Sequence, residues 1–232
     1  LHLSIRRQRQ MCIRDSNNSF AFIEFKQSKN ISSDTEQARG INFKPDGTIM
    51  YITNRKAASG AEGQKGQVTQ YSLSTPFDIS TATKTSQTDL LGSDDSSVLK
   101  YPHAIEFKPD GTKMFVSYAQ VDATATVPRH IVTFNLSTPY DISTKTFAGD
   151  SERCVFNLDT GDHGQQLYDL EITSDGMKIL VVSRRNVQDR DFDKAYVLNL
   201  TSPYDISSCT RASATNDLDH NDFQNGSLAG NR

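Results

Sequence analysis

Residues 40–53 read GINFKPDGTIMYIT, residues 104–117 AIEFKPDGTKMFVS and residues 169–182 DLEITSDGMKILVV. In each, two apolar runs flank a short turn ending in Asp-Gly. Proline presets φ, aspartate accepts local hydrogen bonds and glycine takes a positive φ, so each stretch predicts a β-hairpin. In the third copy Ser174 replaces the proline and Met177 the threonine, but Asp175-Gly176 keeps the positive-φ residue and the hairpin is expected to persist. The turn aspartates Asp46, Asp110 and Asp175 are spaced 64 and 65 residues apart. A second motif follows each hairpin: STPFDIS from Ser74, STPYDIS from Ser137 and TSPYDIS from Thr201, with Pro76, Pro139 and Pro203 spaced 63 and 64 apart. Two unrelated motifs sharing one period mean tandem structural units.

Between hairpin and second motif lies a third apolar run: residues 67–73 (QVTQYSL), 130–136 (HIVTFNL) and 195–200 (AYVLNL). At the proline turn the aromatic and the isoleucine (Phe77 and Ile79, Tyr140 and Ile142, Tyr204 and Ile206) are expected to point inward. Asp78, Asp141 and Asp205 are placed to close Asx turns onto the residue two ahead. A less regular fourth strand is expected before the next hairpin, as in residues 153–158 (RCVFNL), and residues 20–25 (FAFIEF) look like that strand from a preceding unit. Four antiparallel strands per tandem unit is the requirement of a β-propeller blade. A β-helix would need much shorter coils, and a β-sandwich would not explain the period. The fold class is therefore all-β, a β-propeller fragment of about three to four four-stranded antiparallel blades, with repeats starting near residues 40, 104 and 169.

Composition agrees with a loop-rich β protein. The 232 residues are 35% hydrophobic, below the roughly 45–50% of average domains, while 9% aromatic content argues against disorder. No apolar run reaches the roughly 20 residues of a membrane-spanning helix. Tryptophan is absent and the formal net charge is −3, so no basic surface for a nucleic acid is implied. Residues 1–16 (LHLSIRRQRQMCIRDS) stand apart. Arg6 to Asp15 back-translate to a string resembling a transposon-based sequencing adapter, so this segment is expected to be a disordered artefact and residues 17–232 an incomplete propeller. Without it the chain is more acidic and two cysteines remain, Cys154 and Cys209, able to form one disulfide or none.

FKPDGTIMYI and FKPDGTKMFV resemble the Phe-x-Pro-Asp-Gly-Thr element of YVTN-type and TolB-type β-propellers, to which lactonase-like propellers also belong. The repeat carrying STP-aromatic-DIS is similar to propeller arrays of marine bacteria and phages, mostly without assigned activity. The resemblance covers residues 20–207. It implies a fold and little about function, because the shared residues are turn formers and core apolars. Three hairpins and one leading strand fall short of most closed rings. The chain is accordingly expected to be a fragment that, alone, exposes an apolar sheet face and aggregates or forms an open arc.

Residues with chemical potential are sparse. Asp189, Asp191 and Asp193, and again Asp217, Asp219 and Asn221, alternate like calcium ligands. Both sets lack the glycine and the acid of an EF-hand loop, having Lys194 and Leu200, and Asp222 and Leu228, at those positions. Asp159-Thr160-Gly161 matches an aspartic-protease triplet but stands alone. Gly161-Asp162-His163-Gly164 distantly resembles a quinoprotein motif, with His163 too far from the turn Asp175. Cys154, in an apolar strand, reads as a core residue. No Ser-His-Asp, zinc or phosphate-loop arrangement is found, and no catalytic residue, metal site or cofactor is assigned.

The positional candidates are Asn42, Glu106 and Glu171 on the first strand of each unit, preceded by Arg39, His103 and Tyr168. Equivalent positions of successive blades form a ring around the propeller axis, so these six could line a channel or its mouth. The reading is a non-catalytic binding or structural repeat protein, secreted, cell-surface or virion-associated, with an unidentified protein or glycan ligand and neither nucleic acid nor membrane span. The alternative is a lactonase-like or quinoprotein-like enzyme whose catalytic residues lie on further blades.

Overall fold

The computed structural model describes residues 27–56, 65–90, 101–118, 129–156, 165–185 and 194–211. The 1–16 segment, the strand expected at 20–25, Asp159 to Gly164 and both aspartate clusters lie outside these residues. The described regular elements are strands and short 3-10 turns, and they form three antiparallel sheets.

The first blade contains β1 (Gln37–Phe43), β2 (Ile49–Lys56), β3 (Lys65–Leu73) and β4 (Ala82–Asp89), ordered as in the chain. The second contains β5 (Pro102–Phe107), β6 (Lys113–Tyr118), β7 (Arg129–Leu136) and β8 (Lys145–Phe147), with β9 (Cys154–Phe156) also pairing with β7. The third contains β10 (Gln165–Ile172), β11 (Lys178–Arg185), β12 (Lys194–Asn199) and β13 (Thr210–Arg211). These are propeller blades, with β1, β5 and β10 side by side as the innermost strands. The fourth strand departs from expectation in the second blade. It starts immediately after the proline turn as β8, breaks at Gly149 (φ 103) and a 3-10 turn over Asp150–Glu152, and resumes as β9. Thr133 bridges the break, its carbonyl accepting from Ala148 N–H and its hydroxyl donating to the Glu152 carbonyl.

The two repeated motifs are halves of one joint. In the first blade Asp46 Oδ1 accepts from the Thr48 amide (2.9 Å) and hydroxyl (2.6 Å), and Lys44 lies 2.7 Å from the carboxylate. The Lys44 ammonium, followed by the Thr48 hydroxyl, holds the Asp46 pKa down at about 2. Asp110 repeats this with Thr112 and Lys108. In the third blade, where the threonine has become Met177, the hydroxyl comes from Thr173 at the lysine position (2.5 Å), while the Met177 amide still donates to Asp175. That exchange explains why the altered turn survives. The carbonyls of Gly47, Gly111 and Gly176 accept from the amides of Phe77, Tyr140 and Tyr204. Each of these aromatics has a positive φ (61°, 64° and 58°) and turns its ring onto the glycine. Asp78, Asp141 and Asp205 cap the following 3-10 turns, accepting from the amides of Ser80, Ser143 and Ser207 as the Asx reading anticipates.

Because blades stack face to face, β2 and β6 are buried on both sides, which is why they read as unbroken apolar runs instead of alternating ones, whereas β11 is buried on one side, with Leu180 and Val182 exposed on the other. Tyr51 and Val68 pack with Met114, Val116 and Phe134 between the first two blades, and Phe115 and Ile131 with Ile179 and Val181 between the second and third. The inward expectation holds for Tyr140, Ile142 and Ile206, which are buried. Phe77 is 48% exposed, a correction: its ring lies against Gly47 and Phe43, and no described blade precedes the first to cover it. Cys154 and Cys209 are disulfide-bonded, tying β9 of the second blade to the segment before β13 of the third.

Candidate functional site

The innermost strands all carry a bulge at the same place. Pairing with the second strand slips by one residue between Ala38 and Gly40, between Pro102 and Ile105, and between Leu167 and Asp169. Arg39, His103 and Tyr168 therefore sit in the bulges, where a strand bends and re-aims its side chains. Three residues on, Asn42, Glu106 and Glu171 stand opposite Tyr51, Phe115 and Leu180.

Five of the six candidates, Arg39, Asn42, Glu106, Tyr168 and Glu171, line one cleft of about 960 Å³ across the three inner strands, together with Asp169 and Tyr204. His103 does not line it. It is buried, with its ring edge-on to Tyr168 at 4.4 Å. Burial, and then the nearby positive charge of Arg39, lower its pKa to about 4, so the imidazole is neutral near pH 7 and its place is in the seam between blades.

Asn42 reaches across to the second blade, its Nδ2 donating to the Ile105 carbonyl and to Glu106 Oε2, both at 2.9 Å. Burial raises the Glu106 pKa to about 7. The hydrogen bonds from the Phe107 amide and Asn42 work against the rise, and the negative charges of Glu171 and Asp169 add to it. Glu171 and Arg39 are exposed. The cleft thus offers carboxylates of two characters, the half-buried Glu106 with its raised pKa and the exposed Asp169 and Glu171, beside a guanidinium and two phenol rings. Among the described residues no group of three or more His, Cys, Asp or Glu is placed to hold a metal ion.

Two residues that hold the cleft's wall are not evident in the sequence. Thr53 Oγ1 accepts from Gly40 N–H (2.8 Å) and donates to the His103 carbonyl (2.5 Å), joining first and second blades beside the bulge. Gly40 is required there, because a Cβ would run into that same carbonyl. Ser117 similarly accepts from Ala104 N–H. The signal was a hydroxyl at one repeat position in two copies, with Val182 in the third.

No family model matches the chain, and no curated protein does. Among solved structures it is similar to the periplasmic gluconolactonase of Pseudomonas aeruginosa, with a TM-score of 0.46 and 14% identity over 78% of this chain and 44% of that one. The chain thus spans less than half the length of that structure.

Proposed function

We propose that this chain is a non-catalytic binding or structural unit of propeller type, and that its recognition surface is the cleft across the inner strands. The observation that carries the reading is the convergence there of repeat-equivalent polar residues, Asn42, Glu106 and Glu171, with Arg39 and Tyr168. Carboxylates that accept, a guanidinium that donates and tyrosine rings that present apolar faces suit a hydroxyl-rich ligand such as a glycan, or a polar protein segment. Asn42 ties Glu106 into the interblade hydrogen bonding, which favours a structural and binding role for that acid. The Cys154–Cys209 disulfide favours an oxidising setting, in line with a secreted, cell-surface or virion location.

The test is affinity electrophoresis through gels containing a panel of neutral and acidic polysaccharides, with Arg39→Ala and Glu171→Ala as exposed, fold-neutral variants. Retardation by one polysaccharide, lost in both variants, is the expected result. Retardation unchanged by either variant would dispose of the cleft as the site, and turnover of a sugar lactone by the parent chain would overturn the non-catalytic part.

A further inference from the structure

Each blade presents a knob on one face and a socket on the other. The knob of the first blade is Tyr51, fully buried, with its ring 4.4 Å from Phe107 and its hydroxyl donating to the Tyr140 carbonyl at 2.6 Å. Its socket is Ile105, Phe107 and Tyr140 of the second blade, where the two rings are 5.7 Å apart. Phe115 is the knob of the second blade and is equally buried.

At the two ends the same parts are uncovered. The third blade's knob, Leu180, is 43% exposed, with Val182 beside it at 47%, over a groove also lined by Ala195 and Val197. On the first blade the socket residues are Ile41, 57% exposed, Phe43 and Phe77. That socket is already shaped. The Phe43 and Phe77 rings are 5.7 Å apart at 48°, against 5.7 Å and 40° for the pair that receives Tyr51. The outer half of the same face is covered differently, Met50, Ile52, Tyr71 and Leu73 being buried with Ile31 packed against them. Among the described residues, the inner half carries the exposed Ile41 and Phe77.

We propose that two copies of this chain associate head to tail, Leu180 and Val182 of one entering the Ile41–Phe43–Phe77 socket of the other. The contact continues the interface that already joins successive blades, and it needs no surface beyond those the chain carries. It is heterologous, so a pair keeps one knob and one socket open unless the assembly closes. The inference goes beyond the ligand reading and does not rest on it: Leu180, Val182, Phe43 and Phe77 lie outside the cleft, although Ile41 also lines it.

The experiment is sedimentation of the full chain over a concentration series, with Leu180→Asp and Ile41→Asp checked for native circular dichroism and melting temperature. Both positions are exposed, so folding should be retained. Concentration-dependent association is expected for the parent, weakened at least tenfold in each variant. An equimolar mixture of the two variants should regain a one-to-one complex that grows no further, because the Ile41→Asp chain keeps its knob and the Leu180→Asp chain its socket. A parent that stays monomeric at every concentration would overturn the proposal, showing the face to be reserved for another blade or partner. Association indifferent to both substitutions, or a mixture no better than either variant alone, would also overturn it.

Discussion

The ring of Tyr140 occupies the space in which a side chain on Gly111 would begin: a Cβ there would fall well inside contact distance of Tyr140 Cδ2 and Cε2. Phe77 stands in the same relation to Gly47, and Tyr204 to Gly176. Gly111 has φ 73° and Tyr140 φ 64°. A left-handed aromatic costs about 1–2 kcal/mol, offset here by Tyr140 N–H donating to the Gly111 carbonyl and the hydroxyl donating to the Pro109 carbonyl at 2.5 Å. The hairpin turn and the proline turn recur together because neither is complete alone.

Replacing Gly111 by Ala should therefore do more than strain a positive φ. The methyl must also displace the Tyr140 ring, and a loss of more than about 2 kcal/mol is expected in urea unfolding. In the Tyr140→Gly background the same substitution should cost distinctly less. Additive effects of the two changes would show that the ring and the glycine are not coupled.

Thr53 supplies the second test. Thr53→Val is nearly isosteric but leaves the Gly40 amide and the His103 carbonyl, both at the blade junction, without the hydroxyl between them. A destabilisation of about 2–4 kcal/mol is expected, and Thr53→Ser should restore most of it. A Thr53→Val protein as stable as the parent in thermal unfolding would mean the bridge contributes nothing. The valine at the equivalent position 182 sits on the open face of the third blade, where no described strand presents a carbonyl to it.

These two joints mark the boundary of what could be read from residues alone. The blades, their order and the turn aspartates were legible because Asp-Gly flanked by apolar runs has one local solution, and because repetition tests each assignment three times. The gathering of Asn42, Glu106 and Glu171 followed from repeat equivalence. The placing of His103 did not, since a bulge decides which of two neighbouring side chains faces the cleft and which the seam, and nothing at Pro102 to Ile105 announces the register skip. The exposure of Phe77 was hidden for a related reason. Its sequence context matches that of Tyr140, but burial depends on a neighbouring blade and not on the turn.

Glu106 gives a prediction in pH. Its folded pKa of about 7 lies above the ordinary value of 4.5, so the folded protein holds a proton there that the unfolded chain releases. The associated stability is fully present below about pH 4.5 and is lost as pH rises through 7. Glu106→Gln has no such dependence and can still accept from Asn42. Relative to the parent it should gain on the order of 2–3 kcal/mol between pH 4 and pH 8. His103 runs the other way. With a folded pKa near 4, its contribution is present above about pH 6.5 and is lost as pH falls through 4, and it is common to parent and variant, so it cancels in the comparison. Melting curves whose difference does not change with pH would count against a shifted carboxyl, and carboxyl-carbon NMR would report the titration directly.

The disulfide offers a prediction about which part of the molecule opens first. Cys154 and Cys209 are 55 residues apart in sequence, and closing a loop of that length restricts the unfolded chain by about 4 kcal/mol in the chain-entropy description. Cys209→Ser is the cleaner variant, because Cys154 is fully buried in β9 and a serine there would add an unsatisfied hydroxyl, whereas Cys209 is half-buried. A loss of about 2–4 kcal/mol is expected, matched by adding reductant to the parent and absent when reductant is added to the variant. The effect should also be local. The outer face of the third blade leaves Leu180 and Val182 exposed and the disulfide joins this blade to β9, whereas the first blade has no part in that cross-link, so the third depends on it more than the first does. Hydrogen exchange of the variant should therefore accelerate in β12 and β13 while β2 and β3 keep their protection. Uniform acceleration across all three sheets would instead mean that the blades unfold as one unit and that the cross-link acts only on the unfolded chain.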